Sequence, residues 1–78
     1  MKIDLHSPVP SYRQLADLIR DRIAAGDYRP REPIPSLHEL AAMTGLAIGT
    51  VQKAIDLLKK EGVVYGVTGR GTFVSPRA

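Results

Sequence analysis

The side chains best suited to chemistry in this 78-residue chain donate hydrogen bonds and positive charge. Ser36 and Glu39 stand three residues apart ahead of an apolar run. At that spacing a hydroxyl and a carboxylate satisfy the free N–H groups of a helix start. Gln52 and Lys53 are adjacent inside a segment of helical periodicity. A carboxamide donates and accepts in one plane, and an ammonium donates to any anion. Thr68-Gly69-Arg70-Gly71 sets a guanidinium between two glycines, where main chain can approach another molecule closely. Catalytic groupings are missing by comparison. The acids are scattered, His6 and His38 are far apart, and there is no cysteine. No nucleophile, general base, metal site or disulfide is therefore expected, and no cofactor. An enzyme is the least favoured class.

Seventy-eight residues make one small domain, covering 1–78, which buries about 60% of the surface exposed by the unfolded chain. No apolar run approaches the roughly 18 residues of a membrane span, and no membrane partner is expected. The net charge of +3 is mildly basic, and its distribution says more than its sum. Residues 1–52 carry six Lys or Arg against six acids. Residues 53–78 carry five (Lys53, Lys59, Lys60, Arg70, Arg77) against Asp56 and Glu61. The whole excess lies in the C-terminal third, which favours a polyanionic partner there, with a merely solvated surface as the plainer reading.

These side chains need elements to hold them. Pro8 and Pro10 favour an extended N-terminal segment. Ser11, with Gln14 as capping-box partner, should open a first helix over about 11–25, with Tyr12, Leu15, Ala16, Ile19 and Ile23 facing a core. Arg20 and Arg22 fall off that stripe and should be solvated. Gly26 ends the helix. Pro30, Pro33 and Pro35 make residues 27–35 a stiff loop. Ser36 and Glu39 open a second helix over about 36–44, with Leu37, Leu40 and Ala41 inward, and Gly45 permits a sharp turn. A third helix over about 48–61 gathers Ala47, Val51, Ala54, Ile55 and Leu58 in one sector, leaving Gly49, Gln52, Lys53, Asp56 and Lys60 opposite. Lys59 and Lys60 suit its last turn, where the helix dipole favours cations. Two β-rich runs around Thr68–Gly71 form a hairpin over about 63–75, which must lean on the helices. The fold class is mainly α with a small β-hairpin: a winged helix-turn-helix.

A helix about 10–12 Å across fits a major groove about 12 Å wide, so this fold points to double-stranded DNA. Gln52 can pair bidentately with adenine, and Lys53 can donate to guanine or phosphate. Ser36 and the free N–H groups of the second helix can hold a phosphate, and His38 projects from the same turn. Gly69 and Arg70 suit a narrow minor groove or a phosphate. Each has a plainer role: Ser36 and Glu39 as caps only, His38 as a solvated residue, Lys53 and Lys60 as a polar face. Tyr65 and Phe73 read as core of the wing. Gly66, Gly69 and Gly71 lack the Gly-Lys-Ser/Thr ending of a nucleotide-binding loop.

Three blocks resemble the DNA-binding domain of the GntR family of bacterial transcription regulators. Pro10-Ser11-Tyr12-Arg13-Gln14-Leu15 is similar to the family's P-x-Y-x-Q-(I/L). Ile34-Pro35-Ser36-Leu37-His38-Glu39-Leu40-Ala41 is similar to L-P-S-E-R-E-L-A. Glu61-Gly62 with Gly69-Arg70-Gly71-Thr72-Phe73-Val74 is similar to E-G-(L/I)…G-x-G-T-F-V. Together they span nearly the whole chain in order. The resemblance implies bacterial repressors or activators in the cytoplasm, associated with the nucleoid, whose dimers bind short palindromic operators. It also implies DNA contacts at Ser36, His38, Ile48, Gly49, Thr50, Gln52, Thr68, Gly69 and Arg70.

The chain departs from the family pattern at several of these. His38 stands for an arginine. Ala47-Ile48-Gly49-Thr50-Val51-Gln52 stands for S-R-x-T-V-R and so loses a serine cap and two arginines. Gly66-Val67 replaces a basic pair at the start of the wing, and Pro30-Arg31-Glu32-Pro33 lacks the usual glycine. Each lost arginine–guanine pair is worth roughly 1–3 kcal/mol of discrimination. A different operator, weaker base readout, or contact of Ile48 with thymine methyls is expected instead. Family members normally add a C-terminal domain that binds an effector and forms the dimer. No effector-binding domain is expected in this chain, and a weak homodimer stabilised on palindromic DNA is. An architectural DNA-binding factor and a winged helix used for protein contact are the competing readings.

Overall fold

Apolar side chains at helical spacing decide the packing. The computed structural model describes residues 1–76, so Arg77, counted above in the basic excess, lies outside the described residues. The elements run α1 (Ser11–Ala24), α2 (Leu37–Thr44), α3 (Ile48–Lys60), β1 (Val64–Val67) and β2 (Gly71–Val74). Leu15, Ala16 and Ile19 of α1, Leu40 of α2, and Val51, Ala54, Ile55 and Leu58 of α3 are buried together. Ile34 joins them from the loop, and Val64 and Val74 from the base of the hairpin. α3 packs against α1, α2 and β1, which position it, while β2 reaches it through its pairing with β1. Burying a Leu, Ile or Val side chain is worth about 1.5–3 kcal/mol, and no polar side chain is buried among the described residues. The same pattern fixes the hairpin register, with Val64 opposite Val74 and Tyr65 opposite Phe73.

Several local expectations are corrected. Ser11 does not cap α1: Pro10 occupies that position, and no side chain bonds there. The Gln14 amide reaches backwards instead. Its Nε2 donates to the carbonyls of Asp4 and Val9, both at 2.8 Å, and its Oε1 accepts the Asp4 N–H at 2.9 Å. Residues 4–7 consequently turn rather than extend, with the Ser7 N–H on the Asp4 carbonyl at 3.3 Å. Arg20 is not simply solvated. It bonds Asp17 and reaches Glu61 at 2.9 Å, tying α1 to the C-terminal end of α3. Ala47 is exposed and precedes α3 as its N-cap, outside the apolar sector.

The proline-rich loop also does more than connect. The Val74 N–H donates to the Glu32 carbonyl and the Ile34 N–H to the Thr72 carbonyl, both at 2.9 Å. Pro33 thus pairs with Phe73 as a bridge beside β2. Pro33 occupies a non-hydrogen-bonded position of this antiparallel pair, so its missing N–H costs nothing there. Tyr65 and Phe73 are not the core of the wing. Their rings stack on one another, 5.9 Å between centroids, with Tyr65 exposed, while Val64 and Val74 face the helices.

Candidate nucleic-acid interface

α2 and α3 meet at a tight turn. Gly45 takes φ 74° and its N–H caps the Ala41 carbonyl at 2.8 Å. This turn sets α3 across the front of α2 with one face free. The wing bends back beside that face through a turn at its tip. The Arg70 N–H donates to the Val67 carbonyl at 2.9 Å, and Gly69 takes φ 78° at the third position, which only glycine accepts readily. An open cleft of about 530 Å³ results between the start of α2, the exposed side of α3 and the wing.

Five of the ten expected site residues line it: Ser36, His38, Gln52, Thr68 and Gly69. The other five do not. Ile48 and Gly49 are exposed in the first turn of α3, and Arg70 is exposed at the wing tip. Thr50 is half-buried and stands about 160° from Gln52 around the helix axis, turned from the cleft. Lys53 lies about 100° from Gln52, toward α1, and its ammonium sits 4.3 Å from the centroid of the Tyr12 ring. That cation–π contact holds Lys53 outside the cleft without removing its charge from solvent.

Lys59 is the only Lys or Arg among the lining residues, and sequence reasoning did not count it as a site residue. Its signal was available: seven residues after Gln52, two helical turns on, it returns to within about 20° of the same face. Its place in the last turn of the helix had accounted for it by the dipole alone.

The groups in the cleft are set by their neighbours. Ser36 Oγ accepts the Glu39 N–H at 3.1 Å, and Glu39 Oε1 accepts the Ser36 N–H at 2.9 Å, the expected capping box. The Ser36 backbone N–H holds the Glu39 carboxyl below the usual carboxylate range. Glu39 thus supports the fold above its ordinary titration range, and that support fades as pH falls through its lowered value. The Ser36 hydroxyl proton stays free to donate outward. Gln52 Nε2 donates to Asp56 Oδ1 at 2.8 Å. This leaves the second amide hydrogen and Oε1, the pair that matches an adenine edge. No carboxylate lines the cleft. The arrangement offers hydrogen-bond donors and a cation to a polyanion.

Known proteins share this fold. The profile described as "Bacterial regulatory proteins, gntR family" matches residues 11–74. The HTH-type transcriptional repressor NagR of Bacillus subtilis is 40% identical over 75 residues, 96% of this chain but 31% of the repressor. The chain thus spans about a third of that relative's length. The structure of YtrA from Sulfolobus acidocaldarius, a GntR-family transcription factor, superposes with a TM-score of 0.85 at 42% identity, covering 94% of this chain and 77% of that one. AraR(DBD) in complex with operator ORX1 superposes at 0.87 with 33% identity, covering 94% of each chain. Three helices and a two-stranded wing in this order, with this similarity over residues 11–74, place the chain in the GntR family of bacterial regulatory proteins, with the winged helix-turn-helix fold of its DNA-binding domains.

Proposed function

We propose that this chain is the sequence-reading part of a transcription regulator. In this reading α3 enters the major groove of double-stranded DNA, and the wing tip meets the adjacent minor groove or its phosphates. The observation that carries it is the cleft, which joins Ser36, Gln52 and Thr68 from three separate elements with no acid among them. Gln52 reads a base, steadied by Asp56. Ser36, His38, Thr68, Gly69 and the N–H groups of Ile48 and Gly49 hold phosphates. Lys53 and Arg70 add charge at the two margins, and Thr50, turned from the cleft, is left without a base contact. Ile48, 39% exposed in the first turn, offers an apolar contact to a thymine methyl where the family pattern has arginine. Two copies meeting on a palindromic operator place two α3 helices about 34–36 Å apart, one turn of DNA. The relatives are transcriptional regulators rather than enzymes, and the setting that follows is the bacterial cytoplasm.

Selection of bound sites from random duplexes, followed by titration of two variants, tests this reading. Gln52→Ala should relax preference at one base pair by roughly 1–3 kcal/mol. Lys53→Ala should weaken selected and random duplexes alike. Equal effects of both variants on selected and random DNA would overturn this division of roles.

A further inference from the structure

We propose that Lys59 supplies from α3 the positive charge that the first wing strand lacks, and that its ammonium neutralises a backbone phosphate in the cleft. This assignment rests on the DNA-binding reading above and names a contact within it. Three observations converge on Lys59. The first is steric: a side chain at Gly66 would place its Cβ 3.1 Å from Lys59 Nζ and 3.3 Å from Cε. The ammonium thus lies directly over the bare glycine, where a Cβ would make it give by a few tenths of an ångström. A strand position with no side chain of its own is covered here by a basic group from the helix.

The second observation is electrostatic. Both carboxylates near the end of α3 are already engaged. Glu61 accepts from Arg20 at 2.9 and 3.0 Å, and Asp56 accepts from Gln52 at 2.8 Å. Lys59 forms no ion pair among the described residues, and no acid lines the cleft it faces. Its charge is therefore uncompensated inside a concave surface, where a counter-anion gains most.

The third is position. Lys59 stands between the face of α3 that would enter one groove and the wing that would meet the next. The element of a duplex that separates two grooves is its sugar-phosphate backbone. An ammonium on a flexible four-carbon stem is a point charge suited to phosphate, not to planar reading of a base edge.

The test is a salt titration of duplex binding by the 78-residue chain, its Lys59→Ala and Lys59→Met variants, and the double variant Lys59→Ala/Gly66→Lys. Neutralising one phosphate contributes a slope of about −0.9 in log affinity against log salt. Either single variant should make the slope shallower by about 0.9. Affinity for selected and random duplexes should fall about fivefold at 0.15 M salt, the value that slope gives relative to 1 M. The methionine variant keeps the apolar stem, so its melting temperature confirms that charge, not folding, was changed. The double variant should restore the slope, because an ammonium is returned to the same cleft from the strand. An unchanged slope in folded Lys59→Met, with the parent chain binding normally, overturns the Lys59 assignment alone. Failure of the parent chain to bind any duplex in a salt-dependent way overturns the DNA-binding reading with it.

Discussion

The starts of α2 and α3 have the same backbone and opposite chemistry. Ser36 leads into α2 at φ −66°, ψ 167°, and Ala47 leads into α3 at φ −65°, ψ 150°. Ser36 and Glu39 exchange two hydrogen bonds, whereas Ala47 offers no side-chain cap. The reason lies in what each helix buries. α2 has eight residues and buries only Leu40, so little tertiary packing opposes its fraying. α3 has thirteen residues and buries Val51, Ala54, Ile55 and Leu58. Packing of that extent fixes the α3 start without a cap, and its first N–H groups remain open to a ligand. A helix well supported by its core can leave its terminus for function, and a poorly supported one cannot.

The largest expected effect is therefore at the supported cap. Ser36→Ala should destabilise the fold by about 1–2 kcal/mol, because it removes the oxygen that serves Glu39 and loosens the reciprocal bond. In a domain of this size each 1 kcal/mol shifts the melting temperature by roughly 4–8 °C. A urea melt showing a loss below about 0.5 kcal/mol would mean that Leu40 alone holds α2, and the contrast between the two starts would fail.

The opposite change sharpens the contrast. Ala47→Ser installs the missing cap on a backbone already in the right conformation, and should stabilise by about 1 kcal/mol or less. Packing has already ordered that end, so the gain should be smaller than the loss at Ser36. A gain equal to or larger than that loss would show that the α3 start frays in the parent chain.

What could be read from sequence follows the same line between local and long-range causes. Helical periodicity in Leu15, Ala16 and Ile19, and in Val51, Ala54, Ile55 and Leu58, marked the core faces correctly. Ser36 and Glu39 needed only three residues of context to be recognised. Ser11 and Gln14 share that spacing, yet Gln14 finds Asp4 and Val9 instead. A local motif cannot announce such a competitor, because the competing partners arrive with the folded N-terminal segment. Pro33 looked like a breaker, since the non-hydrogen-bonded position beside β2 that spares it a donor exists only once the hairpin has formed. Lys59 was explained by its own helix until Gly66 was brought beneath it from β1. Within the candidate site, Ser36, Gln52, Thr68 and Gly69 were each legible as single groups, but the meeting of Lys59 with Gly66 was not, because it depends on how the wing approaches α3.

Arg31 tests the same principle away from a helix. It adopts φ 67°, the only non-glycine residue with positive φ among the described residues. Its N–H donates to the Val74 carbonyl at 2.8 Å, so pairing with the end of β2 fixes a backbone that its own side chain disfavours. The left-handed conformation costs a non-glycine residue about 1–2 kcal/mol. Glycine would relieve that cost but gain freedom in the unfolded chain, offsetting about 0.4–1 kcal/mol of it. Arg31→Gly should therefore stabilise by about 0.5 kcal/mol, the smallest of these effects, read as a rise of a few degrees in melting temperature. Like Ala47, Arg31 would then be a locally unfavourable residue held in place by tertiary structure. If the glycine variant melts lower than the parent, the exposed Arg31 side chain must make a favourable interaction large enough to outweigh the strain. The two departures would then differ in kind: Ala47 tolerated because α3 is well packed, and Arg31 retained for what its side chain does.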